Sequence, residues 1–261
     1  MISFCTLFSS SKGNSIYVSD GKTNLLVDAG VSASKIISSL SEIGVLPNEI
    51  DGILVTHEHS DHVSGLGVLT RRYSIPVYAN HATLDSFANG PHAPNSDCIR
   101  PIVTGMEFEV GSAVVRAFGT PHDSAESVGY TITMDGRKLA VATDTGCVTK
   151  SMLTALAGSE AVVIEANHDV DMLRNGMYPY PLKKRILSDS GHLCNENCAW
   201  LATQLALWGT KHIVLGHLSE NNNTSEKAYK AVHTMLSDNG FEVGRDVFLT
   251  VAGANEITEI L

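Results

Sequence analysis

The sequence predicts an α/β chain in which two β-sheets pack together with helices on their outer faces. Three observations predict it. Short apolar runs rich in Val, Ile and Phe recur along all 261 residues, and polar or glycine-bearing stretches separate them. Two pairs of such runs meet at Asp-Gly, at positions 20–21 and 135–136, which is a hairpin signal. Segments of helical spacing lie between the other runs. Strand-rich halves closed by helices bury their apolar sheet faces most readily against each other.

The elements follow in order. "ISFCTLF" reads as a strand, and "SIYVSDGKTNLLVDAG" as two strands around Asp20-Gly21. Residues 33–43 have helical spacing. Residues 50–55 form a buried strand, 63–73 a helix, "PVYA" a short strand and 81–89 a helix. Residues 99–119 hold two or three strands. "VGYTITMDGRKLAVATD" is a hairpin turning at Asp135-Gly136, and 159–165 is a strand followed by a polar, proline-containing stretch. A long helix spans 194–208, "KHIVLGH" is a strand, and 224–239 is a helix. Strands at 247–251 and 256–260 end the chain. No repeat or low-complexity linker interrupts this order, so 1–261 reads as a single domain.

Composition narrows the function. Apolar residues make up 43% and charged residues 18%, which is ordinary for a globular protein with a sizeable core. No apolar run approaches the ~20 residues of a membrane span, and no basic segment precedes the first apolar stretch, so neither membrane nor secretion is expected. Five scattered cysteines favour reduced thiols and a cytoplasmic location; Cys194 and Cys198, four apart in the predicted helix, read as a buried pair. The net charge of −10 opposes long-range attraction of nucleic acid. Eleven histidines point instead to metal or acid–base chemistry.

The histidines concentrate in "THEHSDH", residues 56–62, directly after the buried strand "GILV". Side chains two apart in an extended segment point the same way, so His57 and His59 can grip one ion. Asp61 and His62 come as the chain turns into a helix; they face another direction and can grip a second ion. Three more ligand-type residues repeat the same context of apolar run, lone ligand, polar loop: His122 in "FGTPHDS", Asp144 in "LAVATDTG" and His217 in "HIVLGHLSE". Asp28, closing "NLLVD", fits the pattern too, as a carboxylate that accepts the N–H of a ligand histidine.

In order and context these residues resemble the ligand motifs of the metallo-β-lactamase fold superfamily, over essentially the whole chain. The resemblance implies a four-layer αββα sandwich with a dinuclear site at one edge. It implies that His57, His59 and His122 hold one metal, that Asp61, His62 and His217 hold the other, and that Asp144 bridges them. "SSSKGNSIYV", "EANHD", "GHLCNENCA" and "GHLSENNNTSEKAY" resemble the WalJ/YycJ branch, which is similar to 5′-to-3′ DNA exonucleases. Glu165, His192 and His217 also resemble the extra motifs of β-CASP nucleases. The inserted β-CASP domain is absent, since Asp144 and His217 stand only 73 positions apart. Lys12 and Cys194 depart from the branch, which carries a small residue and a serine there.

Two divalent ions can bind a phosphate oxygen and share a hydroxide that attacks phosphorus in line. Imidazole and carboxylate suit zinc, manganese and iron alike. The leaving oxygen then needs a proton, and His192 and His168 are the candidate donors. The small, polar loop at 9–15, with Ser11, Lys12 and Asn14, reads either as a phosphate cradle or as a tight turn. Lys183, Lys184 and Arg185, with Tyr178 and Tyr180 nearby, suit a DNA backbone and its bases, and equally a solvated face. Asn221, just beyond His217, suits a substrate hydrogen bond. The alternative function is a small-molecule hydrolase of phosphodiesters, thioesters or lactones on the same metals, which needs a closed pocket where a nuclease needs an open groove. A non-catalytic binding module is disfavoured by the full ligand set, and a flavodiiron role by His59, where a glutamate would be expected.

Overall fold

The computed structural model describes residues 2–87 and 90–261. Two seven-stranded sheets carry helices on their outer faces, an αββα sandwich. The first sheet opens with an antiparallel meander of β1 (Ser3–Ser10), β2 (Gly13–Ser19) and β3 (Asn24–Val27). It continues in parallel through β4 (Gly52–Leu54), β5 (Val77–Asn80) and β6 (Ile99–Ile102). The crossovers run through α1 (Ala33–Glu42), then α2 (Ser60–Val63) and α3 (Leu66–Tyr73), then α4 (His81–Phe87). The second sheet repeats the plan. An antiparallel β7 (Glu107–Val110), β8 (Ala113–Gly119), β9 (Val128–Met134) and β10 (Arg137–Ala142) lead into parallel β11 (Ala161–Glu165), β12 (His212–Gly216) and β13 (Phe248–Val251). A short β14 (Thr258–Glu259) pairs with β1.

The pairing follows from turn chemistry and burial. Asp135 and Gly136 both take positive φ, 48° and 75°, which a two-residue primed turn demands. Val18, Leu25, Val27 and Leu54 from one sheet meet Val115, Tyr130, Ile132, Val141 and Val163 from the other in one buried cluster. Tyr130 is fully buried and donates its hydroxyl to the Val55 carbonyl at 2.7 Å, so the sheets are tied beneath the strand that leads to His57.

Several expectations need correction. The helix expected at 63–73 begins later, at Leu66, and a separate short helix, Ser60–Val63, precedes it across Ser64 and Gly65. The helix expected at 81–89 is seen as His81–Phe87, and residues 88 and 89 lie outside the described residues. The loop expected at 9–15 is a tight turn at Ser11 and Lys12, with Ser10 paired to Gly13 across it. Three short helices were not anticipated: α5 (Lys150–Leu156), α6 (Val170–Asn175) and α7 (Tyr180–Ile186). They are too short for a helical period to register, although Thr149 and Asp169 cap the first two by accepting the Met152 and Met172 amides. The long helices α8 (Asn195–Leu207) and α9 (Ser225–Asp238) stand as expected, except that Cys194 caps α8 rather than lying in it and is only half-buried, while Cys198 is buried. Among the described residues no helix is long and apolar enough to cross a membrane.

Candidate metal centre

The parallel strands, and β8 with them, deliver their C-terminal ends to one edge of the sandwich. Asp28 follows β3, His57 follows β4, His122 follows β8, Asp144 follows β10, Glu165 ends β11 and His217 follows β12. Asp28, Asp144 and His217 take left-handed backbone with φ of 62°, 55° and 55°. Residues other than glycine pay for that conformation, and it persists where the surroundings over-determine it. Here it turns each side chain sharply off its strand into a common space.

Three sets of ligand-type atoms gather there closely enough to hold an ion: His57, His59 and His122; Asp61, His62 and His217; and His57, His62 and Asp144. Asp144 stands between the first two. Its Oδ2 is 3.1 Å from His62 Nε2, and its Oδ1 is 3.7 Å from His122 Nε2 and 3.6 Å from His217 Nε2. A fourth set joins Asp144, Glu165, His192 and His217.

Four of the rings are aimed by a bond at Nδ1. His62 Nδ1 donates to Asp28 Oδ2 at 2.7 Å, and Asp28 is held in turn by the Thr56 amide and hydroxyl, both at 2.8 Å. His217 Nδ1 and His192 Nδ1 donate to Glu165 Oε1 at 2.9 and 2.7 Å, while Glu165 Oε2 accepts the Thr145 and Leu193 amides. His122 Nδ1 donates to the Gly191 carbonyl at 2.9 Å. Such partners fix tautomer and orientation and leave Nε2 facing the shared space.

The charges are those of a cation site. Burial would raise the Asp61, Asp144 and Glu165 carboxyls, yet the neighbouring imidazoles hold all three below the usual range, Glu165 at about 2. Burial would lower His217, but the Asp144, Asp61 and Glu165 carboxylates push it up to about 10, and His62 is raised in the same way. Buried acids here demand positive charge, and without metal only protonated histidines can supply it. His57 Nε2 is buried without a hydrogen-bond partner. This orphaned atom and the mixed imidazole–carboxylate set fit divalent metal.

Residues 23–218 match the family described as Beta-lactamase superfamily domain. The chain belongs to this family. It is 44% identical over 243 residues to "Exodeoxyribonuclease YycJ" of Bacillus anthracis, covering 92% of this chain and 91% of that protein. It is 40% identical over 245 residues to "Exodeoxyribonuclease WalJ" of Streptococcus pneumoniae, covering 93% and 91%. These relatives set it in the YycJ/WalJ branch of the metallo-β-lactamase superfamily. The metallo-β-lactamase fold protein YhfI from Bacillus subtilis superposes with a TM-score of 0.75 at 16% identity, over 99% of this chain and all of that one, which speaks for the fold. Family membership implies divalent-metal binding.

The remaining predicted residues lie around the centre in different roles. His192 has a side chain 16% exposed, and its ring centroid is 5.0 Å from that of His122 and 5.4 Å from that of His217. His168 is buried with neither ring nitrogen hydrogen-bonded, and burial pushes its pKa down to about 4. Of the two candidate donors, His192 is therefore the one that keeps some exposure toward the centre. Asn14 is buried against the centre, with Nδ2 3.2 Å from His62 Nε2 and bonded to the Ser10 carbonyl, while its Oδ1 has no hydrogen-bond partner. Asn221 donates to the Tyr178 hydroxyl at 3.0 Å. Ser11 stands exposed at the tip of the tight turn, and Lys12 beside it pairs with Glu220. Arg185 forks onto Asp123, the neighbour of His122, while Lys183 Nζ caps the Arg174 carbonyl at 2.8 Å.

Sequence reading missed Thr56, which links Asp28 to His57 and His62. It also missed Asp123 and Gly30. A hydroxyl after a buried strand is a weak signal, and the partner of Asp123 lies 62 positions away. Gly30 is required by contact: a Cβ there would lie 1.7 Å from the Asp61 carbonyl oxygen and 2.6 Å from the Asn14 amide nitrogen.

Proposed function

We propose that this chain is a metal-dependent nuclease that degrades DNA from the 5′ end, with two divalent ions per chain. His57, His59 and His122 hold one ion, Asp61, His62 and His217 the other, and Asp144 serves both. The observation that carries the reading is the His192–Glu165 pair standing against these two sets, in a chain 44% identical to an exodeoxyribonuclease. When bound, the ions supply Lewis acidity for the phosphate and a hydrolytic nucleophile near neutral pH. Zinc, manganese and iron all suit this donor set.

The chain's own groups do the rest. Glu165 fixes His217 through Nδ1 and leaves its Nε2 toward Asp61 and Asp144. The same carboxylate holds His192, overriding the effect of burial and raising its pKa, so that Nε2–H can protonate the leaving sugar oxygen. Arg185, held by Asp123, borders the centre on the His122 side. Elsewhere on α7, Tyr180, Lys183 and Lys184 line a groove of about 480 Å³ together with Arg174 of α6. Cations interleaved with an aromatic ring suit a single strand, and their local position offsets the net charge of −10. Cytoplasmic DNA is the substrate this reading implies.

The test is release of label from 5′-labelled and 3′-labelled strands with each metal supplied. Nucleotides leaving 5′ ends first support the reading. Release from 3′ ends alone, or no cleavage with any metal, would favour the small-molecule hydrolase. Replacing Lys183 and Lys184 together by alanine should weaken DNA binding and lower the salt slope by about one for each lost phosphate contact. Hydrolysis of a nitrophenyl phosphodiester should hardly change; equal loss on both substrates would mean a damaged fold. Gly30→Ala should lower metal content although every ligand remains, because its methyl displaces the Asp61 carbonyl. It should also cost about 1–3 kcal/mol in a urea melt. Full metal content in that variant would count against Asp61 as a ligand.

A further inference from the structure

Among the described residues, Met177 is the most exposed large apolar side chain, 99% accessible. It lies in "GMYP", 176–179, which connects α6 to α7. One exposed methionine alone calls for no explanation. This one is followed by Pro179 and Tyr180, both exposed, and Tyr180 shares its groove with Arg174, Lys183 and Lys184. Apolar side chains set among cations are what proteins use to unstack bases while holding their phosphates. The connection is also pinned to the metal centre. The Asp169 amide donates to the Asn222 carbonyl at 2.9 Å, and Asn221 donates to the Tyr178 hydroxyl at 3.0 Å. Gly176 is pressed against Asn222, where a Cβ would lie 2.7 Å from Oδ1. Asn221 and Asn222 belong to the loop that follows His217. At the other end of α7, Arg185 forks onto Asp123, whose Oδ1 is 3.5 Å from His122 Nε2. Met177 thus stands on a frame tied to one ligand of each metal set.

We propose that Met177 is a wedge that parts the terminal base pair of duplex DNA, so that one strand alone enters the metal centre. The inference rests on the nuclease reading above and names double-stranded ends as its substrate. Burial of the centre supports it. His57, His62 and Asp144 are buried, so a phosphate reaches them only on a backbone that has left its partner strand. The energetics support it as well. Opening the last pair costs about what burying one methionine side chain against a base gains. The wedge therefore needs no other energy source: it captures a pair that frays by itself. Methionine suits the task, because its flexible, polarizable thioether packs on any base. Pro179, at a φ of −59°, stiffens the turn behind it. Tyr180, 77% exposed, offers a ring on which a freed base stacks, and the cations of its groove take the phosphates.

The experiment compares kcat/KM of the metal-loaded protein on a blunt duplex, on the same duplex with mismatched terminal pairs, and on the single strand. Met177→Ala should lower the value on the blunt duplex by about tenfold, the worth of the apolar surface it removes. It should leave the single strand unchanged, and the mismatches should restore most of the loss. Met177→Leu keeps the apolar bulk and should stay within about twofold of the wild type on every substrate. An unchanged rate of Met177→Ala on the blunt duplex, an equal loss on all three substrates, or a loss in Met177→Leu as large as in Met177→Ala overturns the proposal. So does a wild type that cuts the single strand and not the duplex. Fluorescence of 2-aminopurine in the terminal pair of a phosphorothioate-protected duplex reads unstacking apart from cleavage. It should rise on binding the metal-loaded wild type and rise far less with Met177→Ala; an equal rise in both, or none, overturns the wedge. A wild type that cuts none of the three substrates would sink the nuclease reading, and the fluorescence would still decide the wedge.

Discussion

Asp144→Ala is expected to abolish the paired metal site and to lower phosphodiester hydrolysis by roughly 10³-fold or more, since each ion is worth several kcal/mol to the transition state. The expectation rests on position. Among the described residues, Asp144 is the one carboxylate with oxygens toward His62, His122 and His217 together. Its left-handed φ of 55° complicates the alanine variant, because alanine tolerates that backbone poorly. Asp144→Asn separates the effects, since asparagine accepts the conformation and keeps the shape while losing the charge. Elemental analysis should find about two metals per chain in the wild type and one or fewer in both variants. Two metals retained in Asp144→Asn, with hydrolysis intact, would remove Asp144 from the centre of the account.

His192→Ala is expected to slow DNA cleavage by roughly 10²–10⁴-fold, the usual contribution of a general acid, with metal content unchanged. The loss should shrink on a nitrophenyl phosphodiester, whose leaving group needs no proton. That contrast distinguishes a proton donor from a residue that merely props up the site. Because Glu165 holds both His192 and His217, Glu165→Gln should impair both functions and show some metal loss along with a slower rate. If His192→Ala itself empties a metal site, His192 is a ligand, and the set it shares with Asp144, Glu165 and His217 becomes the relevant one.

Much of this was legible because strand geometry turns spacing into direction. His57 and His59 follow a buried strand at a spacing of two, and His62 comes after a change of element, so their divergence could be read from "THEHSDH" alone. Asp28, His122, Asp144 and His217 carried the same mark, a ligand-type residue at the end of an apolar run. The sandwich of two sheets was legible for a related reason: alternating strands and helices leave few ways to bury two apolar sheet faces. The short helices α5, α6 and α7 were hidden because six or seven residues barely complete two turns, and packing rather than periodicity holds them. The segment at 9–15 stayed ambiguous because small polar residues suit a cradle and a turn equally.

By itself, then, the sequence determined the two-sheet architecture, the edge at which the site lies and the ligand-type residues gathered there, since all three depend on local period and chain order. Tertiary structure alone decided which partner each of those residues has. Asp28 is given to His62, one Glu165 oxygen is shared by His192 and His217, Asp123 is spent on Arg185, and Glu220 is set against Lys12. Tertiary structure also sealed His168 away from solvent. These pairings join positions from 27 to 208 residues apart. No local pattern encodes such a distance; it arises only when both sheets have closed on their common core.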